Sequence, residues 1–129
     1  MHLNERKQLP ALPRALSEGR MRELDEFIRM RMGSTLTLGE LAATLPVSRF
    51  HFCRIFKRAT SMTPHAYVNE QRMQEGRRLL VETGQTISAI SRRVGYRTQA
   101  HFAARFRRRW GVTPSECRAL SRMGSHSFL

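Results

Sequence analysis

The chain has 129 residues, enough for one domain or two very small ones, and its 40% hydrophobic content supports a core but not a large enclosed pocket as well. Twenty-three Lys and Arg against ten Asp and Glu leave a net charge of +13, which self-repels unless a polyanion relieves it; nucleic acid is the leading partner, an anionic membrane surface the next. No apolar run is long enough for a membrane span, no secretory apolar stretch is present, and Cys53 and Cys117 lack metal spacing, which points to a reduced, intracellular protein without disulfides.

Residues 1–16, "MHLNERKQLPALPRAL", carry Pro10 and Pro13 and read as a linker or flexible arm. From Ser17 the pattern turns helical. Met21, Leu24, Ile28 and Met32 share a face, and Gly33 is placed for a left-handed cap. Thr37 and Glu40 form a capping box that starts a helix at Leu38, with Leu38, Leu41, Ala42 and Leu45 inward. Pro46 stops that helix and Ser48 caps the next, which runs to about Ala59 and buries Phe52, Ile55, Phe56 and Ala59. Two short helices and a tight turn make residues 17–62 a first helix-turn-helix candidate.

Residues 63–84 read as a connecting helix. Thr63 is a good N-cap with Pro64 behind it, and Gly84 is a good terminator. Gly76 inside the helix costs about 1 kcal/mol against alanine, so close packing is its expected reason.

Residues 85–120 then repeat the first device. Ile87, Ile90, Ser91 and Val94 stand where the first copy has Leu38, Leu41, Ala42 and Leu45, and Gly95 stands where Pro46 stood. "HFCRIFKRATSMTP", from His51 to Pro64, returns as "HFAARFRRRWGVTP", from His101 to Pro114. The offset grows by one residue between Leu38/Ile87 and His51/His101, so the second turn is one residue longer. Thr98 caps a helix with Phe102, Phe106 and Trp110 on one side, and Thr113, Pro114 and Glu116 open a last short helix. Residues 121–129 read as a disordered tail. No strand pattern appears, so the fold class is all-α, and two copies are too few for a solenoid.

The helical wheel then assigns the faces. With Phe52 and Phe56 inward, Phe50, Cys53, Arg54 and Lys57 point outward, with Arg49 near the helix start. Arg54 can fork onto guanine O6 and N7, and Phe50 can lie against a thymine methyl. Arg49, Lys57 and Arg58 suit phosphate. The matching face of the second copy is Ala100, Ala103, Ala104 and Arg107. Its alanines can touch thymine methyls but offer no hydrogen bonds, which leaves Gln99 as the adenine reader. Arg105, Arg107, Arg108 and Arg109 suggest a grip on phosphate, which positions without specifying. A helix of roughly 30 Å over residues 64–83 fits the about 34 Å between successive major-groove segments of one DNA face.

His51 and His101 repeat, which argues for a shared job in packing or phosphate contact rather than for a metal. No triad, carboxylate pair or phosphate loop is spaced for chemistry, so neither an enzyme nor a cofactor is expected.

"LTLGELAATLPVSRFHFCRIFKRATSMTPHAYV", "RMQEGRRLL" and "ISAISRRVGYRTQAHFAARFRRRWGVTPSECR" together resemble the DNA-binding region of the AraC/XylS transcription regulators, from Met21 to Arg118. The resemblance implies seven helices in two helix-turn-helix subdomains joined by the long central one. It implies a regulator of promoter DNA, usually an activator, with RNA polymerase as second partner, acting at the nucleoid in the cytoplasm and not at a membrane. The family's base-contacting positions fall on Phe50, Cys53 and Arg54, and on Gln99, Ala100, Ala103 and Ala104. The chain departs from the family at Ala104, commonly arginine, at Pro46, frequently glycine, at Ser91, usually alanine, and at Cys117, usually tyrosine. Two alternatives stay open at this point. A nonspecific basic coat on nucleic acid would explain the charge but not the duplicated caps. The chain also reads either as a stand-alone regulator or, slightly favoured by the arm, as the DNA-binding part of a parent with an effector-binding domain.

Overall fold

Seven hydroxyl groups decide where the helices begin. In the computed structural model, which describes residues 16–124, each of the seven helices among those residues starts after a serine or threonine whose side chain accepts from the amide three positions on. Ser17 opens α1 (Glu18–Arg31), Thr37 opens α2 (Leu38–Ala42), Ser48 opens α3 (Arg49–Thr60) and Thr63 opens α4 (Pro64–Glu82). Thr86 opens α5 (Ile87–Arg93), Thr98 opens α6 (Gln99–Trp110) and Thr113 opens α7 (Pro114–Arg122). The bonds span 3.0–3.2 Å, and each cap is worth about 1 kcal/mol against alanine. Thr37 and Thr113 complete the capping boxes, with Glu40 and Glu116 accepting back from the cap amides.

The chain divides into two compact units, one running to Arg29 and resuming at Leu36–Val68, the other comprising Met30–Thr35 and the chain from Asn69 on. The boundaries therefore fall within α1, between α1 and α2, and within α4. Of the arm read over residues 1–16, only Leu16 lies among the described residues, and residues 125–129 of the expected tail lie outside them. Ser121 and Arg122 continue α7, and Ser121 is buried.

In the first unit Leu24 and Ile28 of α1, Leu41, Ala42 and Leu45 around α2, and Phe52, Ile55 and Phe56 of α3 make the core. The Phe56 ring meets Phe52 at 5.5 Å and stands edge-on to Tyr67 at 5.1 Å, while the Tyr67 hydroxyl donates to Asp25 at 2.6 Å. Two inward expectations fail. Leu38 is exposed, because a side chain at the first position of a helix tilts past the helix end. Ala59 is exposed as well; half-buried Thr60 closes the last turn, donating its hydroxyl to the Phe56 carbonyl at 2.9 Å.

In the second unit the rings of Tyr96, Phe102, Phe106 and Trp110 form a file with centroid spacings of 5.7, 5.6 and 6.4 Å. Gly76 of α4 is packed where expected: a Cβ there would come within 2.9 Å of the Phe102 ring. Buried Ser91 satisfies its hydroxyl on the Ile87 carbonyl at 2.8 Å, which makes it tolerable at a core position. Gly33 has no positive φ and so is not the left-handed cap expected of it. A Cβ there would press on the Arg93 carbonyl at 3.3 Å, so its small size serves close approach instead. Arg72 fastens the same segment by donating to the Met32 and Ser34 carbonyls at 3.4 and 3.3 Å.

The two copies close their recognition helices alike and their turns differently. Ser61 after α3 and Gly111 after α6 both take left-handed φ, 63° and 83°. After α5 the Gly95 amide donates to the Arg92 carbonyl and the Tyr96 amide to that of Ser91, a Schellman cap with Gly95 at φ 98°. In the first copy Pro46 has no amide to give. There the turn is held by Thr44 donating to Leu41, Leu45 to Ala42 and Val47 to Leu45.

Candidate nucleic-acid interface

The core fixes which side of each recognition helix is left over. Around α3, Phe52, Ile55 and Phe56 are buried, which puts Arg54 at the centre of the opposite face, with Phe50, Lys57 and Arg58 around it and Cys53 half-buried at its flank. Phe50 is 73% exposed, and the Arg54 guanidinium carbon lies 5.7 Å from its ring centroid. Phe50, Cys53, Arg54, Lys57 and Arg58 together line one shallow, open depression. Arg49 leans back on α2: a Cβ on Gly39 would come within 2.9 Å of its guanidinium.

Around α6 the same construction leaves a different surface. Phe102 and Phe106 are buried, Ala104 takes the central place of Arg54, and Gln99, Ala100, Arg107 and Arg108 are exposed beside it. Ala103 is half-buried, matching Cys53. Arg105 stands where the first copy has buried Ile55 and is itself half-buried. His101 is exposed with its ring edge-on to Tyr96 at 5.1 Å, whereas His51 is half-buried.

Arg109 has a partner within the fold. The sequence groups it with the phosphate-gripping arginines, but its Nε and Nη2 donate to the two Glu70 carboxylate oxygens at 2.7 and 2.6 Å, and its guanidinium lies 3.8 Å from the Trp110 ring centroid. The pair joins α4 to α6 across 39 positions, a separation for which no local pattern speaks. The Arg109 hydrogen bonds hold the Glu70 carboxyl below its ordinary range against the opposing effect of burial. A lowered carboxylate contributes stability that is complete above its unfolded value of about 4.3 and is lost as pH falls through the folded value. Arg109 is partly exposed, so Glu70→Gln should cost only about 0.5–1 kcal/mol at pH 7, and the gap to the parent should close as pH falls through the lowered Glu70 value. Urea unfolding followed by fluorescence of Trp110, the single tryptophan, measures both, and a gap that persists in acid would mean the carboxylate charge is not its source.

Among the described residues no group of three His, Cys, Asp or Glu side chains is arranged to hold a metal ion, and no helix is long and apolar enough to cross a membrane. Cys53 and Cys117 are both free thiols, and burial pushes the Cys117 thiol up from its ordinary value.

The helix-turn-helix domain family matches residues 41–120. The HTH-type transcriptional regulator ArgR of Pseudomonas aeruginosa is 32% identical over 123 residues, 95% of this chain and 37% of that regulator. Among solved structures, a transcriptional regulator with an AraC-type DNA-binding domain from Chromobacterium violaceum superposes with a TM-score of 0.73 at 27% identity, over 81% of this chain and 93% of that one. The DNA-binding domain of the global transcriptional factor AdpA, solved in complex with a target DNA, gives 0.74 at 25% identity, over 83% and 96%. The chain spans little more than a third of the length of two such curated relatives, 37% and 36%.

Proposed function

Since the chain belongs to the AraC/XylS family of helix-turn-helix regulators, we propose that it is a sequence-specific DNA-binding transcription regulator that lays α3 and α6 into successive major-groove segments of promoter DNA. The observation that carries the reading is the outward face of α3, where an exposed aromatic and an arginine stand together on a helix whose opposite side is fully buried. Such a face has the width of one major groove and the donors to read it. Phe50, Cys53 and Arg54 read bases in the first half-site, and Gln99, Ala100, Ala103 and Ala104 touch them in the second. Arg49, Lys57, Arg58, Arg105, Arg107 and Arg108 hold phosphates.

The role is binding rather than catalysis. The family relationship supports, without showing it, an activator role with RNA polymerase as second partner, at the nucleoid in the cytoplasm. An effector-binding domain in a longer parent chain fits the relatives' greater length. A footprint on promoter DNA tests the central claim: one protected patch of about two helical turns supports it, whereas uniform coverage would favour a nonspecific basic coat, the reading that the charge of +13 alone suggests.

The two faces differ in donors, so the two units should share the labour unequally. Arg54→Ala should cost about 1–3 kcal/mol and relax preference at one base pair. Arg107→Ala should weaken all sequences about equally and flatten the salt dependence by about one unit of slope. Binding to a library of single-base changes across both half-sites checks this, and equal discrimination in the two halves would sink the unequal reading.

A further inference from the structure

We propose that α3 reads a guanine together with the 5-methyl group of the neighbouring pyrimidine, so that the protein prefers thymine or 5-methylcytosine beside that guanine to unmethylated cytosine. The inference rests on the DNA-reading function proposed above and specifies what the first recognition helix recognises. It starts from a pairing that the fold does not need. Phe50 contributes little to the core at 73% exposure, yet its ring sits under the guanidinium of Arg54 one helical turn later. Among the described residues no carboxylate is set against Arg54, and its partner is the Phe50 ring.

The chemistry of the groove supplies the rest. A guanidinium fork takes two acceptors in one plane, and guanine is the base that presents two, O6 and N7, on its major-groove edge. Once Arg54 lies in the plane of that guanine, an aromatic ring stacked on its guanidinium lies at the level of the adjacent base pair. The apolar feature there is the C5 substituent of a pyrimidine. Thymine carries a methyl, cytosine a hydrogen, and 5-methylcytosine the methyl again. A phenyl ring has neither donor nor acceptor, so it discriminates by the methyl and not by the O4 or N4 group that separates thymine from cytosine. The second unit has Ala100 and Ala104 at the equivalent places and cannot form the pair, which makes it an internal control.

The test uses the full chain and duplexes carrying its preferred site from a selection over random DNA. Each thymine is replaced singly by deoxyuridine, and the pyrimidine beside the Arg54-dependent guanine is varied among thymine, cytosine and 5-methylcytosine. At that position deoxyuridine should bind about fourfold more weakly than thymine, the worth of one buried methyl. Unmethylated cytosine should bind more weakly than 5-methylcytosine by a similar factor. Phe50→Ala should abolish both differences there while leaving deoxyuridine effects in the other half-site and the helical circular dichroism unchanged. Cys53→Ser should leave them in place. A preferred site whose guanine neighbours show no methyl effect overturns the inference and leaves the DNA-reading function standing, as does a methyl effect that survives Phe50→Ala or vanishes with Cys53→Ser. Failure of the selection to yield any preferred site removes the DNA-reading function itself.

Discussion

Gly95→Ala is expected to destabilise the second unit by about 4 kcal/mol. Two independent penalties contribute. At φ 98° any side chain is strained, by about 1–3 kcal/mol. The new Cβ would also be driven into the Met32 carbonyl and to 2.8 Å from Arg72 Nε. Neither can retreat cheaply: Met32 is buried, and Arg72 is held by the Met32 and Ser34 carbonyls. Forced shifts of this kind cost about another 1–3 kcal/mol. Gly84→Ala is the control. Nothing lies within 4 Å of a Cβ there and its φ is not positive, so it should be neutral or stabilising by a few tenths to about 1 kcal/mol. Unfolding followed by Trp110 fluorescence reads the second unit, and a loss below about 1 kcal/mol for Gly95→Ala would remove the structural role given to this turn.

The same glycine marks where sequence reasoning stops. That Gly95 replaces Pro46 is visible in the repeat, and so is the extra residue of the second turn. The backbone of Met32 pressing on Gly95 is not visible, because that partner lies 63 positions away. What was legible is what local chemistry decides. Capping hydroxyls act over three residues, and helical spacing over four, so the starts at Leu38, Pro64 and Pro114 and the faces of Phe52 and Phe102 could be read directly. Periodicity gives direction but not depth, which is why Leu38 and Ala59 read as inward and yet are exposed. Gly33 carried a cap signal by position, but its cause is the Arg93 carbonyl in another helix. Within the candidate site the outward set Phe50, Arg54 and Lys57 followed from the wheel alone, whereas the withdrawal of Arg109 by Glu70 is a tertiary event.

That withdrawal changes the number that matters most for affinity. A count from charge alone, eight or so phosphate contacts, would give a slope of log K against log salt of about −7. With Arg109 committed to Glu70, the named phosphate contacts are Arg49, Lys57 and Arg58 in one unit and Arg105, Arg107 and Arg108 in the other. Six contacts releasing about 0.9 counterion each give a slope of about −5, so raising salt from about 50 to 200 mM should weaken binding roughly a thousandfold. Specific and nonspecific duplexes should share most of this slope, because phosphates carry no sequence and the preference comes from Arg54, Phe50 and Gln99. Titrations of a preferred site and a scrambled duplex across that salt range decide it. A slope shallower than about −2 would sever the link between the charge of +13 and nucleic acid, and a slope of about −6 or steeper would return Arg109, or cations outside the described residues, to the phosphate backbone. Glu70→Gln tells those two apart: freeing Arg109 should steepen the parent slope by about one unit only if the ion pair keeps that guanidinium from DNA.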